Sequence, residues 1–209
     1  MIYIDNKILK SIKEKPCIVE IVSFPDAGST SSCIKLASEL VEEDKAAVIF
    51  FSEFNTPNSE YINKLVEQSK AKQLLAIQYK ADNPYFISDI IERLAPYVQY
   101  FIIDDFYHFI LYKNYTFIRE FMKRLRSSKT RHGIVICLVN QIRNVIKTKN
   151  YDFNTELEVK SLYFEHLEPF IDSRIDITKS VNNDIYVKLI GKKKEKKECG
   201  FSQLLSRII

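Results

Sequence analysis

Short, uninterrupted apolar runs recur along this chain, and each is followed by a segment whose apolar residues return at helical spacing. Cys17–Val22 (CIVEIV), Ala46–Phe51 (AAVIFF), Gln73–Ile77 (QLLAI), Val98–Ile103 (VQYFII) and Gly133–Val139 (GIVICLV) read as strands. Ser29–Val41, Pro57–Gln68, Pro84–Leu94 and Tyr115–Leu125 read as helices, with Pro84 suited to a first turn. A strand with one face in water alternates polar and apolar residues; these runs do not, so both of their faces must be covered. The pattern predicts an α/β fold, a mostly parallel sheet with helices on both faces. Past Val139 the rhythm breaks: Asn140–Glu168 is polar and irregular. Phe170–Thr178 and Asp184–Ile190 then alternate around an Asn182-Asn183-Asp184 turn, which predicts an antiparallel C-terminal flank.

With 209 residues, 46% of them hydrophobic, the chain suffices for one well-filled core, so residues 1–209 are expected to form a single domain. Residues 1–16 form a short N-terminal segment and residues 191–199 a lysine-rich hairpin (GKKKEKKEC). No run approaches the roughly 18 apolar residues of a membrane span, and the start, MIYIDNKILKSIKEK, is too polar for a signal peptide. A soluble protein without a membrane partner is expected, cytoplasmic and nucleoid-associated, or nuclear in a eukaryote. Lys and Arg number 31 against 27 Asp and Glu, a net charge of +4 that does not by itself select a partner. Cys17, Cys33, Cys137 and Cys199 show no C-x-x-C pairing and read as reduced thiols, mostly buried. His108, His132 and His166 have no spacing that suggests a metal site or a catalytic dyad, and structural roles are expected for them.

In parallel sheets ligands bind beyond the carboxyl ends of the strands, so the residues following each run carry the functional information. The first such segment is Ser23–Thr30, SFPDAGST. A phosphate-binding loop reads G-x-x-x-x-G-K-[ST]: glycines let backbone N–H groups converge on phosphates, Lys reaches the β- and γ-oxygens, and the hydroxyl holds Mg²⁺. In that frame Ser23 replaces the first glycine, Gly28 is the second, Ser29 stands where the Lys belongs and Thr30 supplies the hydroxyl. The spacing persists and the cation does not. On local sequence alone the segment also reads as an ordinary strand-to-helix turn with Ser and Thr caps. The later runs end in Ser52-Glu53, Asp104-Asp105 and Asn140-Gln141. In a phosphate-loop ATPase these are the places of a water-activating carboxylate, a Mg²⁺-associated carboxylate and a γ-phosphate sensor.

At these residues the sequence resembles the ATPase core of the RecA recombinases. The resemblance is collinear from about Ile18 to Leu204. It runs through IVEI, FFSEFNTPNSEYINKL, QLLAIQYKADN and YFIIDD to VNQIR (Val139–Arg143), its most specific piece, and PFIDSRIDI. It implies a RecA-like core in which Gly28, Ser29, Thr30, Asp104 and Gln141 contact ATP. Glu53 would activate water, Thr30 and Asp104 would hold Mg²⁺, and Gln141 would report the nucleotide to a DNA-binding loop at Ile142–Phe164, within the 142–168 region. Ser29, the short segment after Asp105, and the near absence of the N-terminal polymerisation arm and of the C-terminal domain depart from the family. They suit a degenerate paralogue that binds ATP and Mg²⁺ weakly or not at all.

Arg143, Asn144, Lys147, Lys149 and Tyr151 form a basic loop with an aromatic member, suited to pairing phosphates and stacking bases of single-stranded DNA. Lys192, Lys193 and Lys194 could grip a phosphate backbone or keep a hairpin tip soluble. Arg119, Lys123, Arg124 and Arg126, with Lys129, read as the outer face of an amphipathic helix. The expectation is an accessory or mediator protein in recombination or repair, with a recombinase or RecA-like subunit as partner in a homo- or hetero-oligomer. An atypical active ATPase and a non-catalytic scaffold subunit are the alternatives.

Overall fold

A computed structural model describes residues 2–192 except 5, 25–26, 42–45, 54–57, 59, 61–62, 65–66, 68–73, 81–82, 84, 112, 148–156, 162–163 and 180–183. In chain order the elements are β1 (Ile2–Ile4), α1 (Asn6–Lys13), β2 (Ile18–Ser23), α2 (Ser29–Leu40), β3 (Ala46–Ser52), β4 (Leu74–Tyr79), α3 (Phe86–Leu94) and β5 (Val98–Ile103). They continue with α4 (Phe106–Ile110), α5 (Tyr115–His132), β6 (Val135–Lys147), β7 (Leu157–Ser161), α6 (Phe164–Leu167), a 3-10 turn (Glu168–Phe170), β8 (Ser173–Lys179) and β9 (Ile185–Lys192). The sheet order is β1-β9-β8-β2-β6-β5-β3-β4, with β7 pairing the distal part of β6. From β8 to β4 every pairing is parallel, and β8 with β9 is antiparallel. The mostly parallel α/β architecture and the antiparallel flank therefore match the sequence pattern.

Crossovers between parallel strands are right-handed. The chain leaves β2 in one direction to reach β3, and steps back the other way from β4 to β5 and β6, so the connecting helices fall on opposite faces. On one face Val19, Ile21, Ile49, Phe51 and Cys137 pack against Ile8 and Ile12 of α1 and Cys33, Leu36 and Leu40 of α2. On the other, Val48, Phe50, Phe101, Ile103, Ile136 and Leu138 meet Ile87 and Ile91 of α3, Phe106 and Phe109 of α4 and Phe121, Met122 and Leu125 of α5. Successive residues of β2, β3, β5 and the start of β6 thus serve alternate cores, which is why these runs are nearly all apolar, whereas β4, at the end of the sheet, is not covered on both faces and leaves Leu75 exposed. Cys17, Cys33 and Cys137 are buried free thiols; burial pushes the thiols of Cys33 and Cys137 upward and keeps them protonated.

Three segments differ from expectation. The N-terminal segment forms β1, which pairs in parallel with β9, and α1, whose Ile8 and Ile12 enter the core. The helix expected to end at Leu125 continues to His132. Asn114 caps its start by accepting from the Phe117 N–H (2.8 Å), and Gly133, at φ 70°, ends it. Its last core-facing position is Ser128, which is buried and donates to Glu92 Oε2, so no apolar residue marks the turn. Finally, the strand expected to stop at Val139 runs on to Lys147 and forms a two-stranded antiparallel arm with β7, where an irregular loop was expected.

Candidate functional site

The carboxyl ends of β2, β6, β5 and β3 lie at one edge of the sheet and collect the residues that the sequence singles out. Gly28 precedes α2 with φ 79°, in the left-handed region that favours glycine. A Cβ there would press on Ile185 Cδ1, the end of a side chain that can shift, so the backbone conformation is what calls for glycine. Gly28 O accepts from the Ser32 N–H (3.0 Å) and from Ser32 Oγ (2.8 Å). Having no side chain, Gly28 provides no side-chain cap, and the positive end of α2 faces this edge of the sheet.

Thr30 Oγ1 donates to Asp104 Oδ2 at 2.6 Å, which joins the glycine turn after β2 to the acidic end of β5. Asp104 is 3% exposed, and its backbone N–H donates to Phe50 O (2.9 Å). Burial pushes its carboxyl up to about 6, even though the Thr30 hydroxyl and the Asp105 N–H favour the ionised form. Asp105 follows in the left-handed region, φ 55°, the only non-glycine residue with positive φ among those described. This kink sends the adjacent carboxylates to different partners. Asp105 Oδ2 receives Ser52 Oγ (3.2 Å) and lies 2.5 Å from His108 Nδ1, while Tyr79 OH donates to Asp104 O (3.3 Å). Burial, with both aspartates adding to it, pushes the Tyr79 phenol up, so it stays a donor.

Glu53 follows β3 with its N–H donating to Tyr79 O (3.1 Å) and its side chain exposed. Gln141 pairs in register with Ser23, so the sensor position sits beside the start of the phosphate-loop frame. Ser29 and Thr30 are half-buried in the first turn of α2. The oxygen-only set of Thr30 and Asp104 suits a hard cation such as Mg²⁺, with phosphate and water oxygens completing its shell. For the β- and γ-phosphates of ATP the fit is incomplete, because Ser29 puts a neutral hydroxyl where the loop needs a cation.

Of the residues expected to meet DNA, Arg143, Asn144 and Lys147 lie on the part of β6 that pairs with β7, and the register slips between Ile142 and Asn144. Lys192 ends β9. Lys149, Tyr151, Lys193 and Lys194 fall outside the described residues. Two groupings were not read from the sequence. One is the Ser52–Asp105–His108 cluster, which gives His108 a carboxylate partner; its signal is the i, i+3 spacing of Asp105 and His108 at a helix start. The other lies within the sheet, where fully buried Glu20 accepts from Asn140 Nδ2 (2.9 Å) and has Arg174 Nε 3.4 Å away as an ion-pair contact. Asn140, read as a strand-end polar residue, is thereby a buried partner of β2.

No family model and no curated protein sequence matches this chain. Among the described residues no helix is long and apolar enough to cross a membrane.

Proposed function

We propose that this chain is a RecA-like domain with an eroded nucleotide site, acting as an accessory or mediator protein in homologous recombination or repair. It works through single-stranded DNA and a recombinase or RecA-like partner subunit. The observation that carries this reading is the 2.6 Å hydrogen bond from Thr30 to Asp104. A hydroxyl in the first turn after a glycine, held against a buried carboxylate from another strand end, is the pairing that a Mg²⁺–nucleotide site requires. When bound, Mg²⁺ would neutralise phosphate charge, and Thr30 and Asp104 would orient it. The amino end of α2 would face the phosphates. Ser29 lacks the charge that binds and polarises the β- and γ-phosphates, so affinity is weak and turnover slow or absent.

The continuity of β6 supports a link to DNA. One strand passes Ser23 at Gln141 and extends into the arm that carries Arg143, Asn144 and Lys147. A nucleotide that shifts Gln141 would therefore move the base of the arm. A second reading, an atypical working ATPase, draws on Glu53, whose exposed side chain stands at the same sheet edge and could orient water.

Titration of the purified protein with a fluorescent ATP analogue and Mg²⁺, with and without single-stranded DNA, tests the proposal. Weak saturable binding that Ser29→Lys tightens by tenfold or more is expected. Absence of binding in both folded proteins would overturn it. Turnover abolished by Glu53→Gln in the native background would favour the second reading.

A further inference from the structure

The helix α5 carries six cations and one acid over Tyr115–His132, and the structure sorts them into two sets. Arg124 and Lys129 lean on residues outside α5: exposed Arg124 pairs with Asp89 (3.2 Å) and stacks over the Tyr85 ring at 4.2 Å, and half-buried Lys129 pairs with Asp172 (2.9 Å). The other four, Arg119, Lys123, Arg126 and Arg131, line an open groove of about 670 Å³. Ser127 and the half-buried Phe170 of the 3-10 turn complete the wall used here. Glu120 balances Lys123 (2.7 Å) and Glu92 balances Arg131. Arg119 and Arg126 have no ion-pair partner among the described residues and lie one above the other at i, i+7.

We propose that this groove is a second binding surface for single-stranded nucleic acid, separate from the β6–β7 arm. From Arg119 to Arg131 the stripe is about 18 Å long at 1.5 Å per residue, a length along which its four cations can follow the phosphates of a single strand. The Arg119 and Arg126 guanidiniums, which form no ion pair among the described residues, track the backbone, and the two paired cations exchange their carboxylates for phosphate. Phe170 offers a face on which an unpaired base can stack, which a duplex cannot use. An acidic polypeptide would satisfy the charges but not the ring. The surface lies on the face of the sheet opposite α2 and needs no nucleotide, so its test is independent of the ATP site.

Fluorescence anisotropy of a labelled oligothymidylate, read against salt for the full chain, decides the matter. Arg119→Gln with Arg126→Gln is expected to weaken binding about tenfold or more at low salt and to lower the log–log salt slope by about 1.4. Phe170→Ala is expected to weaken binding with the slope unchanged. The double variant should melt like the wild type, since the two arginines are exposed, and Phe170→Ala, which removes a ring packed on the core beside α5, should stay folded with a lower Tm. The proposal is overturned by any of four results with folded proteins: no binding by the wild type, an unchanged slope in the double variant, a silent Phe170→Ala, or displacement by polyglutamate as effective as by unlabelled oligonucleotide. Loss of all binding through Arg143→Ala with Lys147→Ala, with the α5 variant silent, would assign the contact to the arm alone and likewise overturn it.

Discussion

Asp104→Asn should make this protein more stable at neutral pH while damaging the proposed cation site, and the gain should depend on pH. In the fold the Asp104 carboxyl titrates at about 6, against 3.8 for an ordinary aspartate, because burial disfavours its charge. Between these values the folded protein keeps a proton that the unfolded chain has released. Stability therefore falls as pH rises through this window and levels off above it, by about 3 kcal/mol at 1.36 kcal/mol per pKa unit. Asparagine mimics the protonated acid and removes that penalty. The Thr30 hydrogen bond, which favours the charged form, is already contained in that shift. The net gain at pH 8 is then about 3 kcal/mol, or roughly 6–12 °C in Tm for a chain of this size. Near pH 4 the gain should vanish. Thermal melts of both proteins in EDTA from pH 4 to 8 measure it, and the difference between the two curves cancels other titrating groups, such as Glu92, whose hydrogen bond from Ser128 favours the charged form. A difference that stays flat across the range, or an Asp104→Asn protein less stable at pH 8, would refute the argument that burial of this charge dominates.

Gly28→Ala should cost about 1–2 kcal/mol, chiefly through the left-handed backbone, with a smaller part from displacing the end of the Ile185 side chain. In denaturant melts, Ile185→Ala should reduce the additional loss caused by Gly28→Ala; equal losses in both backgrounds would place the whole cost in the backbone and refute the packing contribution. Arg174→Ala should cost about 3–5 kcal/mol, since it takes the guanidinium from the fully buried Glu20 carboxylate. Glu20→Gln in the same background should return part of that, and a loss below about 1 kcal/mol would mean that the ion pair is immaterial.

The sequence alone determined the layered α/β fold, because a strand covered on both faces is apolar at nearly every position. The runs IVEIVS, AAVIFFS and VQYFII declare this without reference to any partner. It also determined where to look for a site, since ligands gather beyond the carboxyl ends of parallel strands. Polar segments were a different matter. Arg126–His132 continues a helix, and Asn140–Lys147 continues a strand, because Ser128 meets Glu92, Asn140 meets Glu20 and β7 pairs with the arm. Each of those residues finds a polar partner from a distant part of the chain, which periodicity cannot register. Tertiary structure likewise decided that Thr30 meets Asp104 across 74 positions, that the kink at Asp105 turns two neighbouring carboxylates apart, and which α5 cations line one groove. Apolar burial follows a local pattern because it is non-directional, whereas a hydrogen bond or an ion pair depends on where the fold delivers its partner.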